Sequence, residues 1–317
     1  MISTELSFGA ALADSRCDYA RMLDDGGEPG PAAELMEQAL ELAPQWPAGW
    51  SQLAEFRQKA GNGDGAVDAL HRLLALDPQD MFGARLRLAL LGAIAVPEQP
   101  PSRYVEALFD DYAGRFDTAL VGQLDYRVPQ ELAALLRRTG GSGAEFSCAV
   151  DLGCGTGLFG LQIRSHATRL EGFDLSHNML AKARDKAVYD RLTHADLSLP
   201  GDLCGLFSPD LPAARADLVS AADVMIYLGN LENVFSLAAT LAAPGGLFAF
   251  SVEEGFAAEG FSLAPSLRYV HSQAYVEALL DRTGFRVLEH QRTTIRKDGG
   301  KAVAGILFVA GRRAERV

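Results

Sequence analysis

A glycine-rich loop is the segment of this sequence whose residue types point most directly to chemistry. Gly153, Gly155 and Gly157 follow the apolar residues 148–152, and Asp151 stands two residues before the first glycine. Glycine is needed where the backbone takes a positive φ or lies against a ligand, because a Cβ would occupy that space. Helical spacing follows at Leu158 and beyond. The pattern predicts a strand, a tight turn and a helix that together bind a nucleotide.

The spacing of the glycines bears on which nucleotide is bound. A dinucleotide-binding loop reads G-x-G-x-x-G and holds a pyrophosphate at the N-terminus of its helix. Counted from Gly153, the third glycine position is Leu158, so the prediction of a pyrophosphate weakens. Asp151 also suits a cationic ligand better than an anionic one. The simpler alternative is an ordinary glycine turn between a strand and a helix.

Two further carboxylates follow at the ends of predicted strands. Asp174 ends an apolar segment 23 residues after Asp151, where a carboxylate can accept hydrogen bonds from both ribose hydroxyls. Asp196 stands near the end of the next predicted strand, at 192–197, and is expected to bind the adenine amino group, with the Leu197 N–H on the ring. Each acid by itself could cap a helix. Three carboxylates at the ends of successive predicted strands indicate a nucleoside site.

The pattern D-x-G-x-G-x-G at 151–157 resembles motif I of the class I S-adenosylmethionine-dependent methyltransferases. The resemblance implies an α/β, Rossmann-like sheet, mostly parallel with its last strand antiparallel. It also implies S-adenosylmethionine as cofactor and S-adenosylhomocysteine as product, with the loop around the methionine portion. The cofactor-binding residues that it adds to those above are Cys154, Leu175, Met179, Ala222 and Asp223.

The remaining catalytic-domain sequence fits the same alternation of strands and helices. A fourth strand is predicted at 216–223, a fifth at 243–253, and a final hairpin at 285–311. Amino-methylating DNA enzymes carry [N/D]-P-P-[Y/F] after the fourth strand, whereas this chain has Asp-Val-Met-Ile from Asp223. That difference argues against methylation of nucleic-acid bases.

Length and charge limit the partners. The 317 residues suffice for two domains, and the net charge of −12 opposes binding to phosphate backbones. Four cysteines without C-x-x-C or metal-ligand spacing predict no metal site and a cytoplasmic location. No apolar run reaches the roughly 20 residues of a membrane span. We therefore expect no nucleic-acid partner and no membrane partner.

The first 96 residues repeat with a period of 34, which is the tetratricopeptide period. They resemble about two tetratricopeptide units and a closing helix near 80–92. Two units are few for a free-standing array, so this all-α domain is expected to bind a protein partner, self-associate, or only stabilise the chain. The matching pairs are Ala32 and Ala66, Met36 and Leu70, Ala39 and Leu73, Leu42 and Leu76, and Pro44 and Pro78.

A proline-rich segment at 96–101 predicts the domain boundary, because proline cannot continue a helix. The predicted domains are 1–96, tetratricopeptide-like, and 97–317, the methyltransferase domain, with a helical cap at 102–140 and the catalytic sheet at 146–317. The cap carries three aromatic residues and one leucine at a spacing of four: Tyr104, Leu108, Tyr112 and Phe116.

The resemblance gives the cap a role. Small-molecule methyltransferases often close such helices over the cofactor, which implies that Tyr112, Phe116 and Tyr126 form a lid. Arg127, just before the next predicted helix, is the candidate to pair with the cofactor carboxylate. The alternatives are an aromatic stripe that only packs in a core and an arginine that only lies at the surface.

A base is needed only if the acceptor atom is protonated. The candidates at or after the ends of the fourth and fifth predicted strands are Tyr227, Glu253, Glu254 and His271. Among these residue types, histidine titrates nearest neutral pH. We predict His271 as base or polar anchor and Tyr227 as a residue that shapes the pocket. The alternative is that His271 caps the helix near 272.

The order of segments over nearly the whole chain resembles bacterial predicted methyltransferases with tetratricopeptide repeats. It implies transfer of a methyl group by in-line displacement to an oxygen or nitrogen of a small molecule or protein side chain. Two other functions stay open. One is a non-catalytic cofactor-binding module whose repeats recruit protein partners, and the other is a nicotinamide-dependent oxidoreductase.

Overall fold

The computed structural model describes residues 11–117, 126–140, 145–256 and 260–313. The chain divides into two compact units, Met1–Asp111 and Tyr112–Val317. The proline-rich segment at 96–101 lies inside the first unit, so this division falls later than the predicted boundary. One reason is local to that unit: Tyr104 is buried there, and a Cβ at Gly83 would lie 2.8 Å from its ring.

The described part of the first unit is helical. Helices α2 and α4 each span 14 residues, and their bounds differ by 34 residues at both ends. Proline occupies the first turn of α2 and of α3, where no backbone donor is lost. The helices are α1 (Ala11–Asp25), α2 (Pro29–Leu42), α3 (Pro47–Lys59), α4 (Gly63–Leu76), α5 (Ala84–Leu90) and α6 (Ser102–Tyr112).

Consecutive helices of this unit bury their facing apolar sides. Met36, Leu53 and Leu70 are almost completely buried in one shared core. The side chain of Asn62 caps α4 by accepting a hydrogen bond from Gly65 N at 2.9 Å. Asp80 holds the start of α5 in the same way through the N–H groups of Ala84 and Arg85.

The second unit is built on a seven-stranded sheet. Its strands are β1 (Phe146–Leu152), β2 (Ala167–Asp174), β3 (Arg191–His194), β4 (Ala216–Ala221), β5 (Ala242–Glu253), β8 (Phe285–Asp298) and β9 (Lys301–Arg312). Their order in the sheet is β3-β2-β1-β4-β5-β9-β8. Strands β1 to β5 pair in parallel, and β9 pairs antiparallel to both β5 and β8. A separate antiparallel pair, which the sequence did not predict, consists of β6 (Phe261–Leu263) and β7 (Tyr269–His271).

Apolar cores cover both faces of this sheet, which is why β1 and β5 are apolar with little alternation. Neighbouring residues such as Ala149 and Val150 belong to cores on opposite faces. The α-helices within the described residues of this unit are α7 (Val128–Gly140), α8 (Leu158–Ile163), α9 (His177–Asp185), α10 (Glu232–Leu241) and α11 (Gln273–Arg282). A mostly parallel sheet covered by helices is the predicted Rossmann-like architecture.

Three strand ends matter for the site. Strand β2 ends at Asp174, as predicted. Strand β3 ends at His194, three residues before the predicted end at 197, so Asp196 lies beyond the strand. Strand β4 ends at Ala221, and Asp223 lies in the following turn with a φ of 61°. None of the helices in the described ranges is both long and apolar enough to cross a bilayer.

Candidate functional site

The glycine loop joins β1 to α8 at the carboxyl edge of the parallel strands. All three glycines have positive φ values, 61° at Gly153, 53° at Gly155 and 91° at Gly157. A Cβ at Gly153 would lie 2.5 Å from Val224, so this glycine permits close packing of the turn after β4. At Gly155 the nearest atoms are 4.0 Å away, on Phe116. Gly155 is thus the position where the loop backbone stays accessible to a ligand.

Asp174 is fixed by backbone donors from two directions. Its Oδ2 accepts a hydrogen bond from Gly155 N at 2.8 Å, and its Oδ1 accepts one from Ser176 N at 2.9 Å. Cys154 N donates to Phe173 O at 2.9 Å and ties the loop to β2 beside this carboxylate. These two bonds fix the orientation of the carboxylate.

Asp151 lies in the protein interior. It is 1% exposed and accepts hydrogen bonds from Tyr189 Oη at 2.7 Å and Ser220 Oγ at 2.8 Å. Burial raises the pKa of Asp151 to about 6, although both hydrogen bonds favour the ionised form. The carboxylate is therefore a buried partner of β4 and Tyr189.

Tyr189 is a residue that the sequence reasoning missed. A Cβ at Gly160 would lie 2.5 Å from its ring and hydroxyl, and one at Gly172 would lie 2.9 Å from the ring. Gly157 borders the same ring at 3.0 Å. The glycines at 160 and 172 are the sequence signal for this packing, since they leave room for a large side chain, but they do not identify which one.

The candidates for the adenosine end lie along β2, β3 and α9. The Oδ1 of Asp196 accepts bonds from Ser198 N at 2.9 Å and Ser198 Oγ at 2.6 Å, which closes a tight turn after β3. Leu197 is half-buried, and its carbonyl accepts a bond from Asn233 at 2.8 Å. Met179 is fully buried in α9, whereas Leu175 remains partly exposed.

Part of the predicted lid meets the glycine loop. Thr156 Oγ1 donates to Asp117 Oδ1 at 2.5 Å, and Lys186 Nζ donates to Asp117 Oδ2 at 2.6 Å. The rings of Tyr112 and Phe116 pack edge to face with centroids 5.4 Å apart. Residues 118–125 of the predicted cap lie outside the described residues. Beyond them Tyr126 is buried, and Arg127, the candidate for the cofactor carboxylate, is exposed.

A buried ion cluster lies after β4 and β5. Arg296, 2% exposed, donates to both carboxylate oxygens of Asp223 at 3.3 Å and to Glu253. Burial raises the pKa of Asp223 and of Glu253, and the charge of Arg296 opposes the rise. Asp223 N also donates to Ser251 Oγ at 2.8 Å. Ala222 precedes this turn and is half-buried.

The sequence reasoning missed Arg296. In the structure, Ile295 and Arg296 are consecutive buried residues that interrupt the alternating burial of β8. Alternation is visible in a sequence only where residue types follow it, and an arginine on a strand is ordinarily exposed. Within the described residues, no group of three or more His, Cys, Asp and Glu side chains is placed to hold a metal ion.

Tyr227 lies beside the ion cluster. Its hydroxyl is close enough to the guanidinium of Arg268 to interact with it electrostatically. Arg268 also forms an ion pair with Asp298, with Nη1 3.2 Å from Oδ2. Tyr126 is close enough to Asp223, Arg296 and Tyr227 to interact with them electrostatically, and burial raises the pKa of Tyr126 well above its ordinary value. Two arginines, two tyrosines, the buried Glu253 and the partly buried Asp223 therefore lie together near the carboxyl ends of β4 and β5.

His271 occupies a structural position. Its ring is fully buried, and Nε2 lies 3.0 Å from both Leu228 O and Gly229 O. Two carbonyl acceptors require the proton on Nε2, and burial lowers the pKa of His271 to about 4. This geometry gives no support to the predicted base. The alternative, a helix cap, is wrong, because Ser272 caps α11 by accepting a bond from Tyr275 N at 3.3 Å.

Known proteins resemble the second unit. A family model described as a methyltransferase domain matches residues 124–290. Similar solved structures include an S-adenosylmethionine-dependent methyltransferase from Mesorhizobium loti, 24% identical over 56% of this chain and 96% of that chain, with a TM-score of 0.43. Magnesium protoporphyrin IX methyltransferase from Synechocystis, solved with bound S-adenosylmethionine, is 20% identical over 67% of this chain and 96% of that chain, with a TM-score of 0.49. No curated protein matches the chain in sequence.

Proposed function

The chain belongs to the methyltransferase domain family, and on that premise we propose that it uses S-adenosylmethionine to methylate an oxygen or nitrogen atom of a small molecule. The proposal rests on the contact between the glycine loop and Asp174. The backbone N–H of Gly155, the ligand-accessible glycine, donates a hydrogen bond to this strand-end carboxylate. A ribose placed on that carboxylate would lie directly beside the open backbone of the loop.

The proposed cofactor contacts follow the strand ends. Asp174 accepts hydrogen bonds from the ribose hydroxyls, Asp196 and Leu197 bind the adenine, and Gly153, Gly155 and Gly157 leave space for the methionine portion. Cys154, Leu175, Met179 and Ala222 complete the walls of the site. Asp151 provides negative charge behind the loop, and Arg127 pairs with the cofactor carboxylate.

When bound, S-adenosylmethionine supplies a methyl group that is electrophilic because it is attached to a sulfonium. The chain's own task is then to hold a nucleophile in line and to exclude water. Tyr112, Phe116 and Tyr126 are proposed to cover the site, and Asp117 fastens this segment to the loop through Thr156. Tyr227, Asp223 and Arg268 face the acceptor side.

We propose that the first unit consists of tetratricopeptide-like helix pairs. The equal lengths of α2 and α4 and the 34-residue offset of their bounds support this assignment. Its proposed role is to contact a protein, either another partner or a second copy of the chain. Sedimentation velocity of the purified chain tests whether two copies associate. A chain that stays monomeric at high concentration would contradict self-association.

The cofactor proposal is tested by calorimetric titration of S-adenosylhomocysteine into wild type, Asp174→Asn and Asp185→Asn. Hydrogen bonds to a charged group contribute about 1.5–3 kcal/mol, so Asp174→Asn should weaken binding by about ten- to a hundredfold. Asp185 is an exposed carboxylate of α9, and Asp185→Asn should bind as wild type does. Unchanged affinity in a folded Asp174→Asn protein would contradict the proposal.

Two further readouts separate the other functions. NAD should not compete with S-adenosylhomocysteine in the same titration; competition would favour an oxidoreductase. Incubation with S-adenosylmethionine and cell extract should release S-adenosylhomocysteine. Binding without release would favour a non-catalytic cofactor-binding module.

A further inference from the structure

The β6–β7 hairpin carries one arginine to the carboxyl ends of β4 and β5. Gly255 N donates to His271 O at 2.9 Å, which joins the segment after β5 to β7. The His271 ring then links β7 to the carbonyl oxygens at 228 and 229 after β4. The tight turn before β7 is closed by Ala264 N, which donates to Arg268 O at 2.8 Å. The backbone of Arg268 is therefore held in place by both strands that end at the site.

Arg296 and Arg268 differ in how fully their charges are paired. Arg296 is almost completely buried and already satisfies both Asp223 and Glu253. Arg268 interacts electrostatically with both acids as well, but within the described residues its direct ion pair is with Asp298. The side chain of Arg268 is 26% exposed, and that of Asp298 is 53% exposed. Exposed ion pairs contribute only about 0–1 kcal/mol. An incoming anion can therefore replace Asp298 at little cost.

The same arrangement disfavours a cationic acceptor. A positively charged group near Asp223 and Glu253 would also face the guanidinium of Arg296, and it would compete with bonds that these acids already accept. Removing Arg296 from them would leave buried charge without a partner, which is costly. An anionic oxygen, in contrast, can accept hydrogen bonds from the guanidinium of Arg268 and from the hydroxyl of Tyr227, on one side of the cluster.

From this geometry we propose that the methyl acceptor is a small molecule bearing a carboxylate or a comparable oxyanion, and that Arg268 binds that group beside Tyr227. The inference rests on the proposed function, since it names the acceptor of the same site. Arg268 is an acceptor-binding residue in this scheme. It takes no part in cofactor binding and undergoes no chemical change.

The test uses the full chain and an ultrafiltered small-molecule cell extract, separated on an anion exchanger into retained and unretained fractions. Each fraction receives S-adenosylmethionine labelled in its methyl group. Methyl label should appear in products of the retained fraction. Label confined to the unretained fraction, or found on protein in unfiltered extract and in neither fraction, would overturn the proposal. Binding of S-adenosylhomocysteine is measured in parallel, and its failure would instead refute the proposed function.

Three variants then test the residue itself with the active retained fraction. Arg268→Met should raise KM by about ten- to a hundredfold with unchanged S-adenosylhomocysteine affinity, and Arg268→Lys should recover part of the loss. Asp298→Asn removes the competing carboxylate and should lower KM by about two- to fivefold. Arg282→Met, which removes an exposed arginine paired with Glu232, is the matched control and should leave KM unchanged. A wild-type KM in folded Arg268→Met would overturn the assignment.

Discussion

Replacement of Asp151 by asparagine should stabilise the protein. The pKa of this carboxyl is raised from 3.8 to about 6, chiefly by burial. The folded state thus favours the protonated form, and the stability that this preference provides is lost as the pH rises through about 6. One pKa unit corresponds to about 1.4 kcal/mol. The ionised carboxylate therefore costs about 3 kcal/mol of unfolding free energy at about pH 8.

The amide of Asp151→Asn removes this cost and can keep both hydrogen bonds. Its oxygen accepts from Tyr189 Oη, and its NH2 group can donate to Ser220 Oγ, since a hydroxyl also accepts. Unfolding free energy should exceed that of wild type by about 3 kcal/mol near pH 8 and by about 2 kcal/mol near pH 5.5. The difference shrinks toward acid because the wild-type carboxyl becomes protonated there.

Urea unfolding of both proteins at the two pH values measures this difference. Subtracting wild type from variant at each pH cancels groups that titrate in both proteins. His271 is one of them: burial lowers its pKa to about 4, so its effect has the opposite sign and stability falls as the pH drops below the ordinary histidine value. Asp185→Asn serves as the exposed control. A less stable Asp151→Asn protein near pH 8, or a difference that grows toward acid, would refute the reasoning.

Three other outcomes follow from the packing and charges of the second unit. Gly160→Ala should lower unfolding free energy by about 1–3 kcal/mol, because its Cβ would lie 2.5 Å from Tyr189; urea unfolding with no change would contradict that packing. Arg296→Met should lower it by about 3–5 kcal/mol by leaving buried acids without their cation, whereas the exposed control Arg282→Met should change it by no more than about 1 kcal/mol. His271→Gln should keep kcat within a few-fold of wild type in S-adenosylhomocysteine release, since glutamine can still donate to the carbonyls; a loss of about a hundredfold or more in a folded variant would restore the base.

Much of the architecture follows from local sequence patterns. Apolar runs predicted the parallel strands, Asp174 marked the end of β2, and the 298–300 turn predicted the final hairpin. The 34-residue repetition predicted a helical repeat in the first domain, and the bounds of helices α2 and α4 differ by 34 residues at both ends. These features depend on neighbours in the chain, so residue types and spacing record them. The domain boundary was harder to predict, because Tyr104 folds back on Gly83 across the proline-rich segment.

On the acceptor side, residue types and spacing did not predict the roles of the side chains. His271 looked like a base because its residue type titrates near neutrality, but its position between two carbonyl groups and its burial decide its chemistry. Arg268 and Arg296 carried no sequence signal beyond their charge. In the folded chain, Arg296 is buried and paired with two acids, whereas Arg268 is paired with the exposed Asp298.

The sequence by itself determined the glycine loop and the Asp174 that orients it, because positive φ values and a strand-end carboxylate are requirements of a short stretch of backbone. Only the tertiary structure decided what surrounds them. Tyr189 reaches Asp151 across 38 residues, and Arg296 reaches Asp223 across 73. Such pairs form because the sheet order places distant strands side by side, and burial then fixes which charges are paired and which remain open to a ligand.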